Sequence, residues 1–386
     1  MLTTPVQKFI DAAPVWGYHA RAIQKFILRG LPLDTSSGVG APSLGRRLLR
    51  WTKRIFLFLL GLAVVVAICG AIYELMGERR DRKRFPQRGK TFQAGNVPLN
   101  IDCSGSGGPT VILDSGLGVP AAGWILVQPE VAKFTRVCSY DRAGYGWSGA
   151  SPDPRTSEQI AKELKELLTA AGEKGPYIIV GHSFGGYNIR VFTELYPADV
   201  AGMVLVDASH EDQEKRMTPA FQEFSKKQMA SLKMQKILAP IMIHLGISRF
   251  FSKDEDGGKL SKESVSEITY LQRQPKYVSA IADEMLSFSQ SASEVRATHG
   301  LGDRPLIVLT AGKSPELGAL PPGLTKKDFD EFHEIWVNEL QVRESQLSTR
   351  GKRIMVPDST HMIPLERPDT IVSAIHEVWT DVTAAH

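Results

Sequence analysis

The chain has 386 residues, 42% of them hydrophobic and 23% charged, which excludes a largely disordered or fibrous protein. Its net charge of +4 is unevenly distributed, because residues 1–90 carry 16 Lys and Arg against 5 Asp and Glu (+11) and the remainder carries −7. Since the basic excess precedes a mildly acidic globular part, the charge does not indicate nucleic-acid binding, and we predict no nucleic-acid partner.

The N-terminal part is predicted to be a basic tail over residues 1–54, followed by an uncharged apolar run over 55–73. At 1.5 Å per residue, this run is about as long as a bilayer's hydrocarbon core is thick. A helix that is apolar on every face is seldom a soluble core helix, and the run begins too late for a signal peptide. We therefore predict a single-pass transmembrane helix over 55–76 and a charged juxtamembrane linker over 77–90.

Beyond residue 91 the pattern alternates strands with helices, which predicts a mainly parallel sheet covered on both faces. The predicted strands cover residues 97–103, 110–113, 136–140, 177–180, 203–206, 306–310 and 353–356.

Helices are predicted over 157–171, with Ser157 as the N-cap, and over 368–382. Almost a hundred residues separate the fifth and sixth predicted strands, far more than a connection between strands needs. We predict a helical lid insertion over 209–303.

In the segment over 177–186 an apolar strand is followed directly by a Gly-x-Ser-x-Gly motif and then by a helical pattern. Its sequence is Tyr-Ile-Ile-Val-Gly-His-Ser-Phe-Gly-Gly. A serine on such a sharp turn has a strained backbone and needs small neighbours, here Gly181 and Gly185. The following helix would direct its N-terminal amides towards an oxyanion formed at Ser183. The pattern predicts a nucleophile elbow, and the alternative is a plain tight turn between core elements.

Four segments together resemble the α/β-hydrolase family. They correspond to its oxyanion turn, its Asp-x-x-Gly-x-Gly-x-Ser turn, its elbow and its catalytic-histidine segment, and cover residues 114–118, 140–148, 181–185 and 359–368. The resemblance implies a mostly parallel eight-stranded sheet with helices on both faces and a helical lid. It places this core at 91–208 and 304–386.

The resemblance also implies a catalytic set of serine, histidine and acid, because a serine hydroxyl is a poor nucleophile until an imidazole takes its proton. Ser183 is the predicted nucleophile and His361 the predicted base. For the acid, the chain departs from the commonest family pattern. Asp207 at the end of the strand over 203–206 is the first candidate, and Glu316, one residue beyond the position that many relatives use, is the second.

The oxyanion hole is expected to consist of the backbone amides of Phe184 and Leu117. The turn over 141–148 is expected mainly to brace neighbouring loops. Within it, Tyr145 and Trp147 are the candidates for contact with the acyl part of a substrate.

Two signals disagree about which side of the membrane holds the globular domain. Both flanks of the apolar run are basic, but the C-terminal flank has more Lys and Arg, which favours a cytoplasmic domain. The α/β-hydrolase resemblance places Cys103 and Cys138 on adjacent strands, where a disulfide would indicate an oxidising compartment and two buried thiols would indicate nothing. We favour an extracytoplasmic domain.

Taken together, these features predict a membrane-anchored carboxylic ester hydrolase, similar to carboxylesterases or lipases, that forms an acyl-enzyme at Ser183 without a metal or organic cofactor. The same residues would suit an amidase, aminopeptidase, thioesterase or acyltransferase. A non-catalytic binding protein on this scaffold is the alternative of another class. The apolar lid segment over 232–251 either packs on the sheet domain or faces a bilayer and admits a small-molecule lipid substrate.

Overall fold

A computed structural model describes residues 44–252, 258–314 and 320–384. Its strands are β1 (Lys90–Ala94), β2 (Val97–Ser104), β3 (Val111–Asp114), β4 (Val137–Tyr140), β5 (Tyr177–His182), β6 (Val200–Val206), β7 (Leu306–Ala311) and β8 (Gly351–Val356).

The helices in the same ranges differ widely in length. They are α1 (Leu44–Arg84), α2 (Gln128–Val131), α3 (Ser157–Ala170), α4 (Gly185–Leu195), α5 (Gln213–Arg216), α6 (Pro219–His244), α7 (Ile247–Phe251), α8 (Lys262–Gln272), α9 (Pro275–Leu286), α10 (Phe288–Arg296), α11 (Lys326–Ile335), α12 (Gln341–Ser345), α13 (Ile363–Glu366) and α14 (Pro368–Ala384).

The chain forms two compact units. The described residues of Asp81–Ile241 and Lys253–His386 make up the larger one, which we call the sheet unit. Those of Thr3–Arg80 and Met242–Ser252 make up the smaller one, which we call the helix unit.

The sheet unit contains one eight-stranded sheet in the order β1-β2-β4-β3-β5-β6-β7-β8. The β1–β2 and β2–β4 pairings are antiparallel and all the others are parallel, so the predicted mostly parallel sheet is confirmed. The central strands are apolar throughout, because alternate side chains enter cores on opposite faces of the sheet. Ile179 of β5, for example, lies in one core, whereas its neighbour Val180 lies in the other.

Two local predictions need correction. The edge strand β1, Lys-Thr-Phe-Gln-Ala, was not predicted because it is short and most of its side chains are exposed. It is ordered by antiparallel pairing with β2. Helix α3 is capped by Thr156, whose side chain accepts a hydrogen bond from Gln159 N, and not by Ser157.

Two insertions interrupt the regular alternation. The predicted one, between β6 and β7, contains α5 to α10 in its described part. A second insertion between β7 and β8 was not predicted, and its helices α11 and α12 are joined by a π-helical turn over Trp336–Leu340. A turn of this kind is common at functional sites, and here it supplies a residue to the site described below.

Cys103 of β2 lies directly opposite Cys138 of β4 in the antiparallel register, and the two cysteines form a disulfide. The remaining cysteine, Cys69, is free and exposed on α1.

Within the helix unit, α1 is long and apolar enough from Leu48 onwards to cross a membrane, and the side chains of its most apolar stretch are exposed. The helix continues to Arg84, so the segment predicted as a linker over 77–90 begins as helix. No break occurs because residues 77–84 contain no proline and have Glu and Arg side chains that favour a helix.

Candidate active site

The turn between β5 and α4 holds Ser183 at the carboxyl edge of the sheet. The backbone of Ser183 has a φ of +52°, and it is fixed by hydrogen bonds to Val206 O (3.1 Å) and from Ser209 N (3.0 Å). A Cβ at Gly185 would lie 2.5 Å from Asp114 O, so a larger residue there would displace the neighbouring strand end. The strained turn and the need for glycine are both as the motif predicts.

His361 and Asp207 form a close pair near this turn. His361 Nδ1 lies 2.6 Å from Asp207 Oδ2, and Asp207, only 2% exposed, has a φ of +42° where the chain leaves β6. Because a carboxylate only accepts hydrogen bonds, this contact places a proton on His361 Nδ1. Among the described residues, the Ser183 hydroxyl and His361 do not form a hydrogen bond.

The Asp207 carboxylate is held from both sides. Its Oδ1 accepts hydrogen bonds from Ala311 N and Trp336 Nε1, each at 2.9 Å. Burial by itself would raise the pKa of Asp207, but the hydrogen bond and charge of His361, together with these two donors, outweigh burial and lower that pKa. Asp207 is therefore ionised at neutral pH. Glu316, the other candidate acid, lies outside the described residues.

His182, which the sequence analysis did not include in the site, contacts His361 directly. Its Nε2 donates a hydrogen bond to the His361 carbonyl oxygen at 2.9 Å, and the two ring centroids are 4.9 Å apart. Burial, with repulsion from His361, lowers the pKa of His182 to about 3, so it stays neutral. The motif position of His182 was the only sequence signal for this contact.

The backbone amides of Leu117 and Phe184 are unpaired. Within the described ranges neither donates a hydrogen bond to a protein acceptor, whereas Gly118 N donates to the Tyr145 hydroxyl at 3.1 Å. The turn that contains Leu117 lies against the serine, since a Cβ at Gly116 would be 3.2 Å from Ser183 Cβ. Free amides beside a nucleophile are what an oxyanion hole requires.

The buried guanidinium of Arg142 holds this turn in place. Its Nη1 donates to Ser115 O at 2.6 Å and to Asp114 Oδ1 at 2.8 Å, and its Nη2 donates to Gly116 O at 3.0 Å. In a trans peptide the C=O of one residue and the N–H of the next point in opposite directions. By binding the carbonyl of Gly116, Arg142 therefore turns the amide of Leu117 away from itself and leaves it free.

A carboxylate from the lid insertion completes this network. Glu284 of α9 is fully buried and binds Arg142 through two hydrogen bonds, of 2.8 Å to Nε and 3.0 Å to Nη2. Burial alone would lower the pKa of Arg142, but the charges of Glu284 and Asp114 raise it well above its ordinary value. The lid and the turn next to Ser183 are thus joined by a buried ion pair.

Tyr145 and Trp147, the predicted acyl-contact residues, both pack against neighbouring side chains. Tyr145 is 1% exposed, and its hydroxyl donates to Glu284 at 2.6 Å while accepting from Gly118 N. Its hydroxyl therefore supports the turn, and contact between Tyr145 and an acyl group stays a prediction. Trp147 is half-buried against Tyr270, with ring centroids 5.9 Å apart.

One cluster in the described residues, away from the disulfide, has a composition that would suit a metal: His210, Glu211 and Glu344. The guanidinium of Arg190 already lies between its carboxylates, 2.7 Å from Glu211 Oε2 and 3.0 Å from Glu344 Oε1. The positive charge that this cluster needs is supplied by the protein itself.

Comparison with known proteins agrees with this geometry. A sequence model described as the Alpha/beta hydrolase family matches residues 111–374. The chain belongs to that family. Among curated relatives, the uncharacterized protein YqjL of Bacillus subtilis is 27% identical over 277 residues, which cover 71% of this chain and 85% of YqjL. In three further curated relatives the match covers less than half of the relative's own length: 39%, 48% and 34%.

Solved α/β-hydrolase structures show the same fold. A putative epoxide hydrolase from Pseudomonas aeruginosa superposes with a TM-score of 0.57 at 16% identity, covering 77% of this chain and 96% of that one. A putative lipase from Acinetobacter baumannii gives a TM-score of 0.52 at 17% identity, covering 81% and 97%. At these identities the likeness establishes the fold of the hydrolase and not its substrate.

Proposed function

We propose that this hydrolase is a membrane-anchored serine hydrolase that cleaves carboxylic esters through an acyl-enzyme on Ser183. The observation that carries the proposal is the convergence, around the strained Ser183 turn, of the Asp207–His361 pair and the two unpaired amides. We further propose that residues 91–208 and 304–386 form the hydrolase core and that residues 209–303 form its lid.

The reaction follows from this arrangement. Ser183 Oγ attacks the ester carbonyl carbon as His361 Nε2 accepts its proton, and Asp207 stabilises the resulting imidazolium through Nδ1. The amides of Leu117 and Phe184 bind the oxyanion of the tetrahedral intermediate. The intermediate collapses as His361 returns the proton to the leaving alcohol, and a water molecule, activated by the same imidazole, then releases the acid from Ser183. The hydrogen bond from Ser183 to His361 is expected to form as substrate binds, since such contacts are often long in free enzymes.

The serine at the elbow separates this mechanism from that of α/β-hydrolases with an aspartate at the same position. An aspartate forms an alkyl-enzyme ester by opening an epoxide, whereas a serine with a general base forms an acyl-enzyme. The likeness to epoxide hydrolase structures is therefore a likeness of fold.

A fluorophosphonate probe tests the proposal directly. We expect the full-length protein in detergent to be labelled on the peptide that contains Ser183, as identified by mass spectrometry after digestion. The rates of hydrolysis of an ester, a thioester and an amide that share one acyl group then show which bond the enzyme prefers to cleave. No labelling, or labelling at another serine, would contradict the serine mechanism, and preference for the amide or thioester would contradict the ester assignment.

We propose that α1 spans the membrane and that the hydrolase domain lies outside the cytoplasm. The disulfide between Cys103 and Cys138 supports this orientation, because such bonds persist in oxidising compartments.

Thiol counting tests the orientation. Protein from the native membrane, denatured in the presence of an alkylating reagent, should carry one alkyl group, at Cys69, and three after reduction. The Cys69→Ser variant should lower each count by one. Three alkyl groups without reduction would exclude the disulfide and with it the argument for this orientation.

A further inference from the structure

The helix unit contains, besides α1, a short segment from within the lid insertion. This segment, Met242–Ser252, includes the end of α6 and the whole of α7, and we call it the lid loop. Its amino-acid composition is apolar apart from His244, Arg249 and two serines. The packing of the lid loop on α1 indicates whether water or lipid surrounds the loop.

The backbone of the lid loop lies directly against α1. A Cβ at Gly70 would be 2.2 Å from Leu245 O, and a Cβ at Gly246 would be 2.5 Å from Gly70 O. A contact this close is possible only because both positions are glycine. Small residues allow helices in lipid to approach other backbones in this way.

An ion pair fixes the same contact one turn further along α1. Arg249 of the lid loop binds Glu74 through two parallel hydrogen bonds, 2.8 Å from Nε to Oε2 and 2.9 Å from Nη2 to Oε1. Both residues are 8% exposed. A bidentate, buried pair of this kind is more specific in geometry than a surface ion pair.

The position of this contact along α1 places it at a membrane boundary. The uncharged run ends at Tyr73, so Gly70 lies about 4.5 Å inside that end and Glu74 just beyond it. Interfacial segments typically lie about 5–10 Å deep, between the headgroups and the acyl chains. The lid loop is thus attached to α1 at the depth of an interfacial element.

The exposed large apolar side chains of the lid loop are two phenylalanines, and His244 and Ser252 are exposed beside them. Phe250 is 72% exposed and Phe251 is 73% exposed, and their rings pack edge to face with centroids 5.1 Å apart. Burying two such side chains in an apolar medium removes a large apolar area from water and would stabilise the bound state. In water the same exposure would be unfavourable.

We propose that the lid loop is a second membrane-binding element, in which Phe250 and Phe251 insert into the lipid interface and the Glu74–Arg249 pair attaches the loop to the transmembrane helix. This inference rests on the proposed membrane span of α1. It implies that a part of the lid is anchored at the bilayer surface, where acyl lipids are concentrated.

Depth-dependent fluorescence quenching tests the proposal on the full-length chain in phosphatidylcholine vesicles. Cys69 is labelled with an environment-sensitive fluorophore in one sample, and Phe251→Cys is labelled in a Cys69→Ser background in another. Met355→Cys, an exposed apolar position on the edge strand β8, serves as the reference for non-specific quenching. Lipids that carry a spin label near the top of the acyl chain are the quencher.

We expect quenching at Cys69 and at Phe251→Cys and none at Met355→Cys. If Cys69 is not quenched, the proposed membrane span fails. If Cys69 is quenched and Phe251→Cys is not, or the reference is quenched as strongly as Phe251→Cys, the lid-loop proposal alone is overturned.

The ion pair is tested in the same assay. Arg249→Gln should weaken quenching at Phe251→Cys, because it leaves Glu74 without its partner, and the exchange of Glu74→Arg with Arg249→Glu should restore it. Unchanged quenching in Arg249→Gln would overturn the role of the pair in attaching the loop.

Discussion

Replacement of Ser183 by alanine should lower kcat for ester hydrolysis by a factor of about 10⁶, and replacement of His361 by alanine should lower it by a similar factor. Without the hydroxyl no acyl-enzyme forms, and without the imidazole the hydroxyl keeps its proton. The two unpaired amides remain in both variants, so a residual rate above that of water, by a factor of about 10³–10⁴, is expected.

The double variant shows whether Ser183 and His361 act as one catalytic unit or independently. If Ser183 and His361 act as one unit, the double replacement lowers kcat no further than either single one, whereas independent roles would multiply the losses. His299→Ala is the control, since His299 is exposed and its side chain pairs with that of Glu194. Thermal unfolding of each variant checks that the fold is kept. Retention of wild-type kcat in either single variant would refute the proposed mechanism.

Asp207→Asn should lower kcat by about 10⁴ with little change in structure. The reason is the direction in which the new amide must point. Oδ1 of Asp207 accepts from Ala311 N and Trp336 Nε1, so an NH₂ group there would face two other donors. The amide nitrogen therefore takes the place of Oδ2 and donates to His361 Nδ1. The imidazole of His361 then carries its proton on Nε2. That nitrogen can no longer accept the proton of Ser183.

The loss in Asp207→Asn is measured as kcat for an activated ester between pH 6 and 9. Asp381→Asn, which removes an exposed carboxylate paired with Arg350, is the control and should leave kcat unchanged. Trp336→Phe removes one donor to Oδ1 but keeps the carboxylate, so we expect a smaller loss than in Asp207→Asn. Wild-type activity of Asp207→Asn would show that Asp207 is not the acid and would return Glu316 to consideration.

The parts of the fold and site that could be predicted from the sequence are those determined by local pattern. The elbow at Ser183 is an example, because the strand, the glycines and the helix that fix its geometry are contiguous in the chain. The parallel strands are another, since burial on both faces requires apolar residues at every position.

Contacts between residues distant in sequence could not be predicted in this way. Trp336 reaches Asp207 from an insertion about 130 residues further along the chain, through a π-helical turn that the sequence analysis did not predict. The hydrogen bond from the Tyr145 hydroxyl to Glu284 joins residues 139 positions apart, and no local motif indicates it. Only the packed structure shows which of these side chains face each other.

The pairing of Glu284 with Arg142 limits how the lid of this hydrolase can be exchanged in evolution or in engineering. A chimaera that received the lid of a relative would keep Arg142 and Asp114 in the core but lose Glu284, and removing one partner of a buried ion pair costs about 3–5 kcal/mol. Donor lids that place a carboxylate at this point would be accepted, and others would require a second replacement at Arg142. Substrate range, if it resides in the lid, is therefore inherited together with a specific acidic residue.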